Sequence, residues 1–366
     1  DYDTAQREEQ ELLGVVEDYI EYAGKTAPIP EGYTKSQITT EDAVAEGVVI
    51  YEIPEGATVN WTDNEDEDGK NQSTITIGEN TTNLQETVNQ YVWIPVEDIN
   101  SMVMCKSNSG ESVCNLVYDD GENGGILSCT NPDHSDTATD LVGRLYTSSE
   151  TGSSYIMDFS KRNQTYDENS FHEPNTVSYD ADNGLELSQL KSDFTIIVKS
   201  VAKNGGFYIS RYEVGANGES KKGQTVLTGA SSDNIEENYL GANTWYGLYN
   251  TIRNISGNKQ MIWGCQYDQV IKFIGEEAQV GHGDRNLTKT HALSGQNELD
   301  CMKNIYDLEG NFYEDTAEAN ITNYRAVRGS FCNNAYFGTR CPASKRISGF
   351  PISANANASS RSTLYL

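Results

Sequence analysis

At 366 residues the chain is long enough for one large domain or two to three smaller ones, with a sizeable buried core. A hydrophobic content of 36%, with 22 Tyr and 4 Trp, describes a folded chain and not a disordered one. The formal charge of -29 argues against nucleic acid and anionic membrane surfaces as partners, because like charges repel.

No stretch reaches the roughly 18 apolar residues of a membrane-spanning helix, so no direct membrane insertion is expected. Asp1 follows no basic and apolar leader, and any export signal or anchor is expected to have been removed. From Thr4 to Ala23, residues Leu12, Val15, Val16, Tyr19, Ile20 and Ala23 recur at helical spacing, and Gly24, Pro28 and Pro30 supply a stop. Residues 1–24 are therefore expected to form one amphipathic helix. Such a helix either packs on its own domain or serves as a stalk, an anchor remnant or a homo-oligomer seam.

Residues 25–90 alternate short β-like runs, Gly47-Val-Val-Ile-Tyr51 and Ser73-Thr-Ile-Thr-Ile77, with polar turns, which predicts a small strand-rich N-terminal segment. Asn64, Asp66, Asp68 and Gly69 have the spacing of half a calcium loop. Ile75 stands where the closing Glu belongs, so a solvated acidic loop is the better reading.

Residues 91–366 run without an obvious linker or repeat. Helices are expected at Trp245–Ser256 and Gln266–Glu277, set among short strands and Gly/Asn turns, which makes this an α+β domain. Cys105, Cys114 and Cys129 lie close enough to permit a local disulfide, and the seven cysteines show no zinc spacing. His282, Asp284 and His291 share one stretch that could meet a metal or be a solvated loop, and no metal set is assigned. Eight Asn-x-Ser/Thr sequons, at Asn60, Asn71, Asn80, Asn163, Asn254, Asn286, Asn320 and Asn357, read as coincidences of an Asn-rich chain. There is no HExxH pair, no G-x-S-x-G elbow and no phosphate-cradling helix start, so nothing demands an enzyme and no cofactor is implied.

The C-terminus follows a different rule. Residues 319–366 contain no Asp or Glu, although the chain carries 55 acidic residues. Phe331 to Leu366 also lacks Gln, Met, Trp, His and Val. Small, aromatic and Asn/Ser residues dominate, a mixture suited to a contact surface, since aromatics give rigid area and small polar residues give adaptable hydrogen bonds. An ordinary Ser/Asn-rich tail is the alternative. Six basic residues, Arg325, Arg328, Arg340, Lys345, Arg346 and Arg361, predict a basic patch on an acidic body.

Five segments in order carry a family resemblance. Gly206-Phe-Tyr-Ile-Ser-Arg-Tyr-Glu-Val214, Trp245-Tyr-Gly-Leu-Tyr-Asn-Thr-Ile-Arg-Asn-Ile255, Met261-Ile-Trp-Gly-Cys-Gln-Tyr-Asp-Gln-Val270, Asn304-Ile-Tyr-Asp-Leu-Glu-Gly-Asn-Phe-Tyr-Glu314 and Arg325-Ala-Val-Arg-Gly-Ser-Phe331 resemble blocks of the formylglycine-generating enzyme (sulfatase-modifying factor) family. This resemblance implies a C-type lectin fold of that branch, with Tyr91-Val-Trp-Ile-Pro95 as its first strand and Ser360–Leu366 as its tail strand. In the 304–314 block, Asp307 and Gly310-Asn311 suit a tight turn, with Ile305, Leu308 and Phe312 pointing inward. The oxidase branch of the family holds copper through two cysteines four residues apart, whereas Cys332 and Cys341 here are more widely spaced.

The same fold resembles that of the variable proteins of diversity-generating retroelements, whose C-terminal Asn codons are randomised at adenines. Such codons cannot yield Lys, Glu, Gln, Met or Trp, and from Phe331 to Leu366 these five types occur once, as Lys345. The resemblance implies a variable region at 331–360 displayed on a receptor or adhesin, outside the cell on a bacterial surface or phage particle, binding a protein or glycan non-covalently. Candidate ligand-binding residues are Phe331, Cys332, Asn333, Asn334, Tyr336, Phe337, Thr339, Arg340, Cys341, Ser344, Arg346, Ile347, Phe350, Ile352, Asn355 and Asn357. The rival readings are a copper-dependent oxidase and a structural pilus-like or virion subunit.

Overall fold

The structure is a computed structural model and describes residues 16–22, 25–107, 112–119, 126–130, 138–144, 187–228, 244–255, 257–275, 291–320, 324–329, 343–344, 346–349 and 355–366. In chain order, β1 (Val16–Tyr22) and β2 (Lys25–Pro30) make a hairpin, followed by β3 (Tyr33–Lys35) and β4 (Val49–Glu52). A small antiparallel sheet joins β5 (Thr58–Asn60), β6 (Thr74–Ile77) and β7 (Asn80–Asn83). Next come β8 (Gln90–Pro95), β9 (Val103–Ser107), β10 (Ser112–Asp119), β11 (Ile126–Thr130) and β12 (Ala138–Gly143), the last four forming a sheet ordered β11-β10-β9-β12.

Helix α1 (Leu187–Asn204) leads to β13 (Gly206–Ser210), and α2 (Trp245–Arg253), β14 (Lys259–Met261) and α3 (Gly264–Ile274) follow. The chain ends with β15 (Tyr313–Asn320), β16 (Tyr324–Arg328), β17 (Arg346–Gly349), β18 (Ala358–Ser360) and β19 (Ser362–Leu364). The expected α+β class is what the structure has.

A six-stranded sheet ordered β14-β19-β13-β8-β4-β3 is the centre of the fold. Strand β8 shows why both its faces are covered. Val92 and Ile94 face one core with Phe207, Ile209, Phe194, Trp245 and Val270, while Tyr91 and Trp93 face a second with Ala27, Ile29, Ile50, Tyr208 and Leu364. Successive side chains of a strand point to opposite faces, so an uninterrupted apolar run is the mark of a strand buried on both sides. Helices α1, α2 and α3 supply the first core, and β2 with the loop before β4 supplies the second.

The expected helices at Trp245–Ser256 and Gln266–Glu277 are present as α2 and α3. Thr244 caps α2 by accepting from Gly247 N, and Gln266 Oε1 accepts from Trp263 N at the start of α3. A third and longer helix, α1, was not among the expected elements. Its Leu190, Phe194, Ile197, Val198 and Val201 are buried at helical spacing against the central sheet.

The N-terminal helix expected over residues 1–24 is corrected over Val16–Tyr22. Val16–Tyr22 is a strand paired with β2, in register from Tyr22 opposite Lys25 to Ile20 opposite Ala27, and residues 1–15 lie outside the described residues. The run Val-Glu-Asp-Tyr-Ile-Glu-Tyr is rich in β-branched and aromatic residues, and an adjacent extended segment ending in Pro28 and Pro30 offers it a ladder instead of a helix. The helical seam for homo-oligomers loses that part of its basis.

The 304–314 block forms its turn as expected. Asn304, Asp307 and Asn311 have φ of 63°, 61° and 40°, and Ile305, Leu308 and Phe312 are buried. Asn304 Nδ2 donates to the carbonyls of Thr40 and Gly47 at 2.8 Å each, docking this turn on the N-terminal strands. At Gly47 a Cβ would lie 2.1 Å from the Lys303 carbonyl oxygen, so only glycine lets the two backbones approach. In the acidic loop, Asp66 accepts from the backbone of Asp68 and Lys70 and from Gln72, which gives its carboxylate local partners.

Candidate ligand-binding surface

The segment 331–360 is tied to a four-stranded sheet ordered β17-β16-β15-β18. Strands β16 and β17 pair antiparallel with Arg328 opposite Arg346, and β15 and β18 pair parallel with Tyr313 opposite Ala358. Since Glu314 lies opposite Arg328, the starts of β15, β17 and β18 and the end of β16 share one end of the sheet. The chain leaves this end after Arg328, returns to it at Arg346, and enters it again at Ala358. Residues 331–360 are thus fixed at their entrance, their middle and their exit by one ladder.

What holds this sheet is polar. Arg361, fully buried between β18 and β19, pairs through Nε with Glu314 and donates from Nη1 to the carbonyls of Ser210 and Arg211 at 3.2 and 3.1 Å, and from Nη2 to that of Tyr306. One guanidinium thereby joins β15, the end of β13 and the 304–314 turn, in the fixed fork geometry that suits Arg and not Lys. Arg328 pairs with Asp268 of α3 at 2.8 Å and lies 4.8 Å from the Tyr267 ring centre. Arg325, three residues earlier and so on the opposite face of β16, sits 3.5 Å over the Trp245 ring and donates to the Ala317 carbonyl at 3.0 Å.

Arg346 reaches Glu318 at 2.9 Å. A Cβ at Gly264 would fall 1.7 Å from Glu318 Oε2, so the first residue of α3 is a glycine that makes room for this carboxylate.

The expected basic patch is therefore corrected. Arg325, Arg328 and Arg361 are core residues, Arg346 is half-buried and ion-paired, and Arg340 and Lys345 lie outside the described residues. A charge inside a protein requires a partner, and the sequence supplies them in the acid-dense run Tyr313-Glu-Asp-Thr-Ala-Glu318 that directly precedes the acid-free tail.

Three buried carboxylates, Glu213, Asp307 and Glu314, gather near Arg361, and Asp315 lies by Arg325. Burial, with Asp307 and Glu314 nearby, pushes Glu213 well above the usual carboxylate range, and it accepts from Asn311 Nδ2 at 2.6 Å and Phe312 N at 3.0 Å. Burial likewise pushes Asp307 to about 6 against the hydrogen bond it accepts from Gly295 N, and Asp315 to about 7 against the attraction of Arg325. All are buried, so the cluster clamps the chain. Among the described residues no group of three or more His, Cys, Asp or Glu side chains is placed to hold a metal. His291 stacks on Phe312 with ring centres 3.8 Å apart, while His282 and Asp284 lie outside the described residues.

Of the candidate residues, Phe331, Cys332, Asn333, Asn334, Tyr336, Phe337, Thr339, Arg340, Cys341, Phe350 and Ile352 lie outside the described residues, and with them the cysteine pair of the oxidase reading. Asn355 is exposed, and its Oδ1 accepts from Asn357 N at 3.0 Å, while the Asn357 carbonyl accepts from Tyr313 N at 2.8 Å. Ser344 and Ile347 are half-buried, the latter packed on Tyr313, Val327 and Ala358. The structure brings Ser344, Arg346, Asn355 and Asn357 to the same end of the sheet, with β17 and β18 at its two edges. The supporting residues Asp268, Glu314, Glu318, Trp245 and Tyr267 were missed. Their signal was the need for acids and aromatic faces opposite the tail's buried arginines.

No family model matches the chain, and no curated protein matches it. Among solved structures it is similar to the Major Tropism Determinant U1 variant, at 10% identity over 97% of this chain and 87% of that one, with a TM-score of 0.36. The Major Tropism Determinant P3c variant is 12% identical over the same shares, also with a TM-score of 0.36. Treponema denticola variable protein 1 is 10% identical over 80% of this chain and 98% of that one, with a TM-score of 0.24.

Proposed function

We propose that this chain is a ligand-binding display protein of C-type lectin fold, whose segment 331–360 is a retroelement-diversified contact surface for a protein or glycan. The observation that carries the reading is the fixing of that segment at entrance, middle and exit on one sheet, whose own side chains are locked by buried ion pairs. A surface that must change its side chains without unfolding needs such a frame, in which exchanged residues do not contribute to the core. The composition of 331–366, nearly free of residue types that randomised Asn codons cannot encode, supports the same reading. Binding of the ligand is non-covalent.

The protein acts outside the cell, on a bacterial surface or a phage particle. Among the described residues no helix is long and apolar enough to cross a membrane. The neighbouring DNA tests the class. A near-copy of the codons for 331–366 that differs only at adenines, beside a reverse-transcriptase gene, is the expected finding. Codons for 331–366 without such a copy would remove diversification from the account.

A further inference from the structure

Lys259 opens β14, and its side chain is 1% exposed. Its Nζ lies 3.2 Å from Oε1 and 3.1 Å from Oε2 of Glu52, whose side chain is 32% exposed. The same Oε2 accepts a 2.7 Å hydrogen bond from Asn89 Nδ2. The Asn89 side-chain carbonyl in turn accepts from the backbone N–H of Ser220 at 2.7 Å. One carboxylate oxygen therefore holds an amine and the nitrogen of a primary amide side by side, while a backbone donor polarises that amide's carbonyl.

The arrangement is fixed from several sides. Glu52 N donates to the Asn89 backbone carbonyl at 2.9 Å, which sets the two residues as neighbours across β4 and β8. The Tyr91 ring centre lies 5.7 Å from Nζ, and Tyr33 packs edge-on against that ring. An open cavity of about 350 Å³ borders Glu52, Asn89 and Lys221. An ion pair needs only Lys259 and Glu52. It gives no reason for an amide held to the same oxygen with its carbonyl already hydrogen-bonded to an N–H.

We propose that Lys259 and Asn89 join in an intramolecular isopeptide bond, with Glu52 as the proton carrier. Glu52 takes a proton from the Nζ ammonium, and the freed lone pair attacks Cγ of Asn89. The charge that develops on Oδ1 is met by the Ser220 N–H. The Nζ–Cγ bond forms as the Cγ–Nδ2 bond breaks. Both protons lost by Nζ end on Nδ2, one of them through Glu52, and the nitrogen leaves as ammonium by way of the cavity. Nothing is oxidised or reduced, and no co-reactant is consumed. Holding amine and amide on one carboxylate replaces an encounter in solution, which is one source of rate for such a step. The bond would tie the start of β8 to β14, closing the whole chain between residues 89 and 259 into a covalent loop.

Intact-mass spectrometry on the reduced, denatured full chain tests this, with a peptide map to locate any change. The expected wild-type mass is one ammonia below the sequence mass, with a branched peptide joining Asn89 to Lys259. Glu52→Gln, Asn89→Ala and Lys259→Arg should each have the full mass of their sequence. A wild-type chain of full mass, or ammonia lost elsewhere with Lys259 and Asn89 recovered as unmodified peptides, overturns the proposal and leaves an ordinary ion pair. The wild-type measurement decides the matter even where a variant fails to fold.

Discussion

The six-stranded and four-stranded sheets of this protein are both buried, yet by different chemistry. In the first, β8 and β13 place Tyr91, Val92, Trp93, Ile94, Phe207, Tyr208 and Ile209 in two apolar cores. In the second, the buried residues include Glu314, Asp315, Thr316, Glu318, Arg325, Arg328, Ser359 and Ser360, with Ala317, Ala326 and a small apolar patch of Tyr313, Val327 and Ala358. Apolar burial is non-directional and tolerates repacking, whereas paired charges accept only one arrangement of partners. The sheet that carries residues 331–360 is thus the one whose geometry is most tightly specified, at the cost of desolvating its charges.

The comparison breaks most sharply at Arg361. Arg361→Ala leaves Glu314 buried and unpaired, for an expected loss of about 3–5 kcal/mol in denaturant unfolding. Replacing both partners, Arg361→Met with Glu314→Leu, should recover most of that loss, since the desolvation cost disappears with the charges. No recovery would mean that the carbonyl contacts of Arg361, and not its ion pair, hold the two sheets together.

Acidity supplies the next test. Asp307 and Asp315 have folded values of about 6 and about 7, raised by burial above their ordinary value of 3.8. As pH rises from about 4 to 7 the unfolded chain releases protons that the folded one retains, so stability is greatest below this window and falls through it. The melting temperature at pH 5 is therefore expected to exceed that at pH 8 by several degrees, on the order of 5 °C. Asp315→Asn should flatten the curve. An equal slope in that variant would assign the effect to the other raised carboxylates, Asp307, Glu213 and Glu314, and to the net charge of -29, and not to Asp315.

Gly264→Ala probes the contact between α3 and the sheet that carries residues 331–360. Its Cβ would strike the Glu318 carboxylate and shift the partner of Arg346, with an expected loss of about 1–3 kcal/mol. A neutral result would show that Glu318 moves aside freely and that Arg346 does not depend on it.

Much of the central sheet was legible in the sequence because apolar runs such as Tyr91–Ile94 carry their own signature. Helices α2 and α3 were legible through apolar spacing, and α1 was equally marked by Leu190, Phe194, Ile197 and Val201 but was passed over amid polar neighbours. Val16–Tyr22 was misassigned because seven residues that mix apolar and acidic types fit a helix face and a strand face alike, and pairing with β2 decides between them. The frame of the candidate surface was half legible. Arg325 and Arg328 were seen, but composition records charge without burial, so residues that are core clasps read as a surface patch.

That correction also changes the account of the acid-free tail. Arg361 meets Glu314, Arg346 meets Glu318, and Asp315 feels Arg325, so acids are concentrated on β15 and bases on the tail that docks beside it. Complementary docking favours a tail without acids, whatever its ligand.

The most direct test of the account is a library in which the codons for 331–342 and 350–354 are randomised while 343–349 and 355–366 are kept, with melting temperature and cell-surface binding measured member by member. The expected result is a melting temperature that stays within a few degrees of the parent across most members while the cells bound change from one member to the next. Widespread unfolding, or unchanged binding in members that fold, would contradict a variable contact surface carried on a fixed polar frame.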